Sequence, residues 1–160
     1  MALRPPPSEH LDPKARALWR WSGLLGTLPL LGLALVGSAA LWWFQLRWWL
    51  VALPVMVVLL IGAVSAFVLP GLIWRSWRYE VGQEEVDLQH GVITMTRTLI
   101  PMARIQHVDT RRGPLQRHFG LASVILHTAA GASEIPALAD PIAEDVRDRI
   151  AALANTREEL

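Results

Sequence analysis

From Trp21 to Leu46, and again from Trp48 to Trp74, the chain carries no charged residue; Arg47 alone separates the two runs. Beyond Trp77 the continuous apolar pattern gives way to alternation with a period of two, the signature of strands with one buried face. Trp77, Tyr79 and Val81 alternate with Arg78 and Glu80, and Gly82-Gln83-Glu84-Glu85 reads as a turn. Val86–Gln89 is a second strand, His90-Gly91 a hairpin turn, and Val92–Ile100 a third strand rich in β-branched residues, ended by Pro101. Arg104–Arg112 follows as a strand with Ile105 and Val108 as its apolar members, and Gly113-Pro114 breaks it. Leu115–Phe119 is a short turn or helix, Ala122–Thr128 an apolar strand, and Ser133–Leu138 a short strand. The end is helical: Asp140 is an N-cap candidate, Pro141 fits the first helical position, and Ile142, Val146, Ile150 and Leu153 form one stripe.

The two apolar runs are read as membrane spans. All eight tryptophans fall in four pairs: Trp19/Trp21, Trp42/Trp43, Trp48/Trp49 and Trp74/Trp77. Paired Trp at both ends of an apolar run forms an aromatic belt at the headgroups. Trp21 and Trp42 are separated by roughly 31 Å of helix, close to the ~30 Å bilayer core. Arg4, Lys14, Arg16 and Arg20 precede the first run, Arg75 and Arg78 follow the second, and only Arg47 lies at the tip. The positive-inside rule then sets both termini in the cytoplasm and the tip outside, as expected of a multi-pass membrane protein. Gly37–Ala40 could pass for a signal-peptidase site, but the run is too long for a signal h-region and a second span follows. Gly62…Ala66 and Ala34…Ser38 are small-xxx-small pairs suited to helix packing, or to contact with another membrane protein. Three segments are expected: a flexible leader 1–18, a hairpin 19–75 with spans of about 21–46 and 48–74, and a soluble domain 76–160.

Composition narrows the chemistry. Cysteine is absent, which removes disulfides, thiolate metal sites and thiol nucleophiles. A single lysine and no aromatic platform argue against nucleic-acid binding. His107, Asp109, His118 and His127 are the best titratable candidates, with His107 and Asp109 on one strand face, yet no catalytic or metal-binding motif accompanies them. Neither enzyme activity, a metal nor a cofactor is expected. Arg97, Arg104, Arg111, Arg112 and Arg117 against Asp109 make a local basic run in an otherwise slightly acidic domain.

Several strings carry a resemblance: Trp77-Arg78-Tyr79-Glu80-Val81, His90-Gly91-Val92-Ile93-Thr94, Ile100-Pro101-Met102-Ala103-Arg104-Ile105-Gln106-His107-Val108-Asp109, Gly113-Pro114-Leu115-Gln116-Arg117-His118-Phe119-Gly120-Leu121-Ala122 and His127-Thr128-Ala129. Together with the layout they resemble the membrane-flanked bacterial pleckstrin-homology-like domain family of YdbS-like proteins. The resemblance implies a two-helix transmembrane hairpin followed by a mainly-β pleckstrin-homology-like domain. Bent antiparallel sheets form that domain, an open barrel closed by a C-terminal amphipathic helix. It also implies a companion, a larger membrane protein with related domains. Eukaryotic relatives bind phosphoinositides through a basic loop between the first two strands; the corresponding loop is read as the acidic Gly82–Glu85.

The expectation is a non-catalytic, membrane-anchored scaffold or partner subunit, with membrane lipids around it and homo-oligomers as a further form. Its contact surface is assigned to Arg104, Gln106, His107, Asp109, Arg111, Arg112 and Arg117. The alternative is a lipid-sensing domain whose Arg cluster reads anionic headgroups.

Overall fold

The computed structural model of the chain describes residues 5–158, in two compact units: residues 16–71, and a domain built from the residues up to Ala15 together with those from Leu72 onward.

In the first unit, α1 (Ala15–Trp43) and α2 (Trp48–Ala63) are antiparallel partners joined by a tip at residues 44–47, where Gln45 takes a positive φ of 53°. Helix α2 runs on through a π-helical segment, Val64–Val68, into α3 (Leu69–Ser76). Pro70 explains the π segment: its ring would clash with the carbonyl four residues back, at Ala66, and a wider turn relieves the clash. Both 29-residue helical stretches are long and apolar enough to cross a membrane, and little of either is buried. Small residues make the seam. A Cβ on Gly23 would meet the Ser65 carbonyl oxygen at 2.9 Å, and one on Gly62 would meet Thr27 at 3.2 Å. Ala34, Ser38, Gly62 and Ala66 are all buried, so both small-residue pairs pack inside the hairpin.

The domain has two antiparallel sheets. The first, in spatial order, holds β1 (Glu9–His10), β2 (Arg78–Val81), β3 (Glu85–His90) and β4 (Thr96–Pro101). A 3₁₀ turn, Met102–Arg104, leads to the second sheet of β5 (Ile105–Arg111), β6 (Leu121–Thr128) and β7 (Gly131–Ala139). Helix α4 (Pro114–Phe119) lies between β5 and β6, and α5 (Asp140–Glu158) follows β7. Tyr79, Val81, Val86 and Leu88 of the first sheet, Val124, Leu126 and Ile135 of the second, and Ala143, Val146 and Ile150 of α5 are buried.

Several sequence expectations change. From Pro5 onward the leader is built into the domain. Glu9 and His10 pair with Tyr79 and Arg78 as the first sheet's edge strand, and Pro7, Leu11 and Ala15 are fully buried. The indole N–H of Trp74 donates to the Leu11 carbonyl at 3.0 Å. Proline and apolar residues gain more by covering the sheet than a free leader would keep in chain entropy. The first sheet thus takes one strand from before the hairpin and three from after it. The connection between the first two strands is the hairpin itself, and the acidic turn at Gly82–Glu85 joins the second and third.

The leader also explains a run that alternation does not. Val86, Asp87 and Leu88 are all buried, so both faces of β3 are covered. Asp87 is satisfied by Arg97, whose Nε and Nη2 reach the carboxylate at 3.0 and 2.6 Å, and whose Nη2 also donates to the Pro5 carbonyl at 2.8 Å. The carboxylate hydrogen bond raises the Arg97 pKa still further. One arginine of the basic run is therefore a latch for the leader. Burial raises the Tyr79 phenol well above its usual range, helped by the hydrogen bond and negative charge of Glu9 on β1.

Strand β4 is shorter than the β-branched content of Val92–Ile100 suggests. It starts at Thr96, and Gly91–Met95 is a loop whose turn requires Gly91 at φ 125°. The first apolar helix ends at Trp43 and not Leu46, because the chain reverses at residues 44–47. On α5 the expected stripe holds at Val146 and Ile150, which are buried, but its first member is Ala143 in place of the exposed Ile142. Gly120 is left-handed at φ 64° and caps α4.

Candidate contact surface on the second sheet

Strand β5 pairs only with β6 among the described residues, so it is an edge strand. A bulge between Ile105 and His107 shifts the register. It lets Ile105 stay buried, leaves Gln106 exposed, and turns His107, Asp109 and Arg111 together onto the opposite face from Val108 and Thr110. Thr110 accepts a 3.4 Å hydrogen bond from Arg147 of α5. The outward face is therefore the one that carries His107, Asp109 and Arg111.

His127 of β6 is the register partner of His107 and joins this face. The two imidazoles stack at 4.1 Å, and the Asp109 carboxylate lies 3.2 Å from His127 Nε2 and 3.7 Å from His107 Nε2. Their ligand atoms all fall within 4.8 Å of one another, a set that can hold a metal ion. The rings lie only 13° from parallel, so no point lies in both ring planes between them. One ring would have to rotate before both nitrogens could bind the same ion. The sequence pointed to the i, i+2 pair of His107 and Asp109; only the strand register brings in His127.

The remaining assigned residues separate. Arg112 is committed within the domain: it pairs with Asp140 at 3.1 Å and Glu144 at 2.6 Å, fastening the end of β5 to the first turn of α5. Arg104 is exposed on the 3₁₀ turn beside Gln106, and Arg117 is exposed on α4. Pro114 starts α4, Gly113 N–H donates to the Gln116 side-chain oxygen at 2.9 Å, and the Gln116 amide donates to buried Ser123 at 2.8 Å. These bonds hold α4 on β6 and leave Arg117 outward. His118 is likewise exposed, edge-on to Phe119, and takes no part in the cluster.

A cleft of about 200 Å³ opens between β4 and the β6–β7 turn, lined by Thr98, Ile100, Arg104, Thr128 and Gly131 among others. A second groove of about 470 Å³, lined by Ile105, Gln106 and Ala129 among others, adjoins it at Arg104, Thr128 and Ala130. The tryptophans assigned to the membrane interface also divide. Trp42, Trp43, Trp48 and Trp49 are exposed around the tip and Trp21 on α1, whereas Trp19 is half-buried. Trp74 stacks on His10 and Trp77 on His90, at 5.8 and 4.7 Å.

Comparison with known proteins bears on the whole architecture. The family model described as "Bacterial PH domain" matches residues 17–154. The chain is 33% identical to the UPF0699 transmembrane protein YdbS of Bacillus subtilis (strain 168) over 157 residues, 98% of this chain and 99% of that protein. It is 29% identical to a second protein of the same organism, the UPF0699 transmembrane protein YdbT, over 93 residues, 58% of this chain but only 18% of that protein. No solved structure matches. With two helices fit to span a bilayer and sheets closed by a helix, this chain belongs to the bacterial PH-domain family, as a membrane-associated member similar to YdbS.

Proposed function

We propose that the chain is a non-catalytic partner subunit of a bacterial inner membrane, anchored with both termini in the cytoplasm, which assembles with a larger related membrane protein. One observation carries this reading: Bacillus subtilis holds both a full-length relative and a much longer transmembrane relative that shares one stretch of this chain. Chains that share a fold and a membrane are suited to associate through like surfaces. The surface offered here is the β5 edge with Arg104, Gln106, His107, Asp109 and Arg111, continued by Arg117 on α4. An unpaired edge strand accepts an added strand, and alternating charge on its face selects the partner and its register.

The fate of the arginines favours a protein partner over a headgroup. Arg97 and Arg112 are engaged with acidic groups, and Asp109 sits among the cations that remain. Exposed charges spread over a turn, a strand and a helix do not make a phosphate cradle.

The test is purification of the tagged full chain from its native membrane in mild detergent, followed by mass spectrometry. A larger related membrane protein should copurify in fixed ratio and be lost on Arg111→Glu with Arg117→Glu. Arg112 is unsuitable for that reversal, because it would break the domain's own tie to α5. Recovery of the chain alone, or with anionic lipid alone, refutes the assembly reading.

A further inference from the structure

The β3–β4 loop stands apart from every other connection in the domain. Its residues Val92, Ile93 and Met95 are 45%, 100% and 59% exposed, and no charged residue occurs between Gly91 and Thr96. Three adjacent apolar side chains held in water at a loop tip are a patch that calls for a cover. The loop is also preformed. Gly91 lies at φ 125°, and a Cβ there would meet the Thr94 carbonyl oxygen at 1.9 Å, so only glycine permits this turn.

Strand register fixes where the tip lies. Arg78 pairs with Gln89 and His90 with Thr96, which sets the loop at the end of the first sheet where β2 begins. Only Trp77 separates the end of α3 at Ser76 from the start of β2 at Arg78. His10 pairs with Arg78, so β1 also leaves the sheet at that end, toward the start of α1. The Gly82–Glu84 turn lies at the other end. The Trp77 ring, first residue after the helix, stacks on His90 at 4.7 Å. Trp settles at headgroup level, and Arg75 and Arg78 flank it. Ile93 lies three chain steps beyond His90, a reach of up to about 10 Å. The headgroup layer on each side of a bilayer is about 5–8 Å deep.

We propose that the Gly91–Met95 loop is a membrane-binding tip. Val92, Ile93 and Met95 enter the headgroup–acyl boundary of the bilayer that holds the hairpin, and the ligand is the lipid surface itself. Such a contact gives the domain a second attachment point and holds one end of the first sheet against the membrane. It uses none of the residues of the β5 surface, so it stands or falls independently of the partner reading. Its grip is apolar, and it survives salt that screens exposed arginines.

The absence of cysteine makes the test clean. Full chains carrying Ile93→Cys, Met95→Cys or, as reference, Gln83→Cys are labelled with an environment-sensitive fluorophore. They are reconstituted in vesicles of phosphatidylethanolamine and phosphatidylglycerol with nitroxide-labelled lipid. The labels at 93 and 95 should be blue-shifted and quenched by shallow nitroxides, equally at low and high salt, while the label at 83 stays water-like. Water-like emission at 93 and 95 overturns the proposal. Blue-shifted emission without lipid quenching also overturns it, since protein then covers the tip; loss of quenching at high salt assigns the contact to charge instead.

Discussion

Replacing Leu11 with alanine asks whether the segment ahead of the hairpin belongs to the domain core. Leu11 is 1% exposed, and its carbonyl holds the Trp74 indole at 3.0 Å. A Leu→Ala change at a buried site costs about 2–5 kcal/mol, transfer and cavity together. The middle of that range is about 3 kcal/mol. With a urea slope of about 1.5 kcal/mol per M, the unfolding midpoint falls by about 2 M. Pulse proteolysis of the full chain in detergent, across a urea series, reads that midpoint while the hairpin stays in the micelle. Leu99→Ala is the control: Leu99 is 45% exposed on β4 and should cost under about 1 kcal/mol. If Leu11→Ala and Leu99→Ala shift the midpoint equally, the leader contributes nothing to the core, and the composite first sheet is wrong.

The buried ion pair predicts an asymmetry. Arg97→Met strands a carboxylate that is 6% exposed, whereas Asp87→Asn leaves a guanidinium 28% exposed and open to water, so the arginine change should destabilise more in the same assay. Ala137 is buried at a positive φ of 51°, inside the β7 irregularity opposite Ser123; Ala137→Gly should therefore raise the stability by up to about 1 kcal/mol, where Ala→Gly in a strand ordinarily lowers it. Tyr79 is held neutral, with its folded pKa above the 10.0 of a free phenol. Its contribution is complete below pH 10, falls as the pH rises from there, and is lost above the folded pKa; Tyr79→Phe should flatten that alkaline decline in urea midpoints measured between pH 8 and 11.

What the sequence revealed, and what it hid, divides by the range of the forces involved. The two long apolar helices follow from local apolarity between the Trp pairs, and β2, β5 and β6 from alternation or unbroken apolar runs next to Gly and Pro. The docking of Glu9 and His10 was hidden because two residues carry no periodicity, and their partners lie some seventy positions away. A signal was present in Val86-Asp87-Leu88: an aspartate between two apolar residues in a strand is exposed unless something covers it, and a nearby arginine can satisfy it. Val92–Met95 has the composition of a strand, yet Gly91 at positive φ turns the chain before pairing begins. At the contact surface, His107 and Asp109 were legible from spacing, but His127 is brought beside them by the cross-strand register and the bulge at Gln106. Arg112 looked like part of an open basic patch because its acidic partners, Asp140 and Glu144, belong to a helix about thirty residues on.

The partner reading is tested most directly in the intact membrane. A photo-crosslinking residue at Arg111, on the outward face of β5, and another at Gln83, in the turn between β2 and β3, are activated in cells, and the adducts are identified by mass spectrometry. A single heavy adduct is expected from position 111, with a larger membrane protein carrying related domains, and none from position 83. Adducts from position 111 to lipid alone, or the same adducts from both positions, contradict the partner reading.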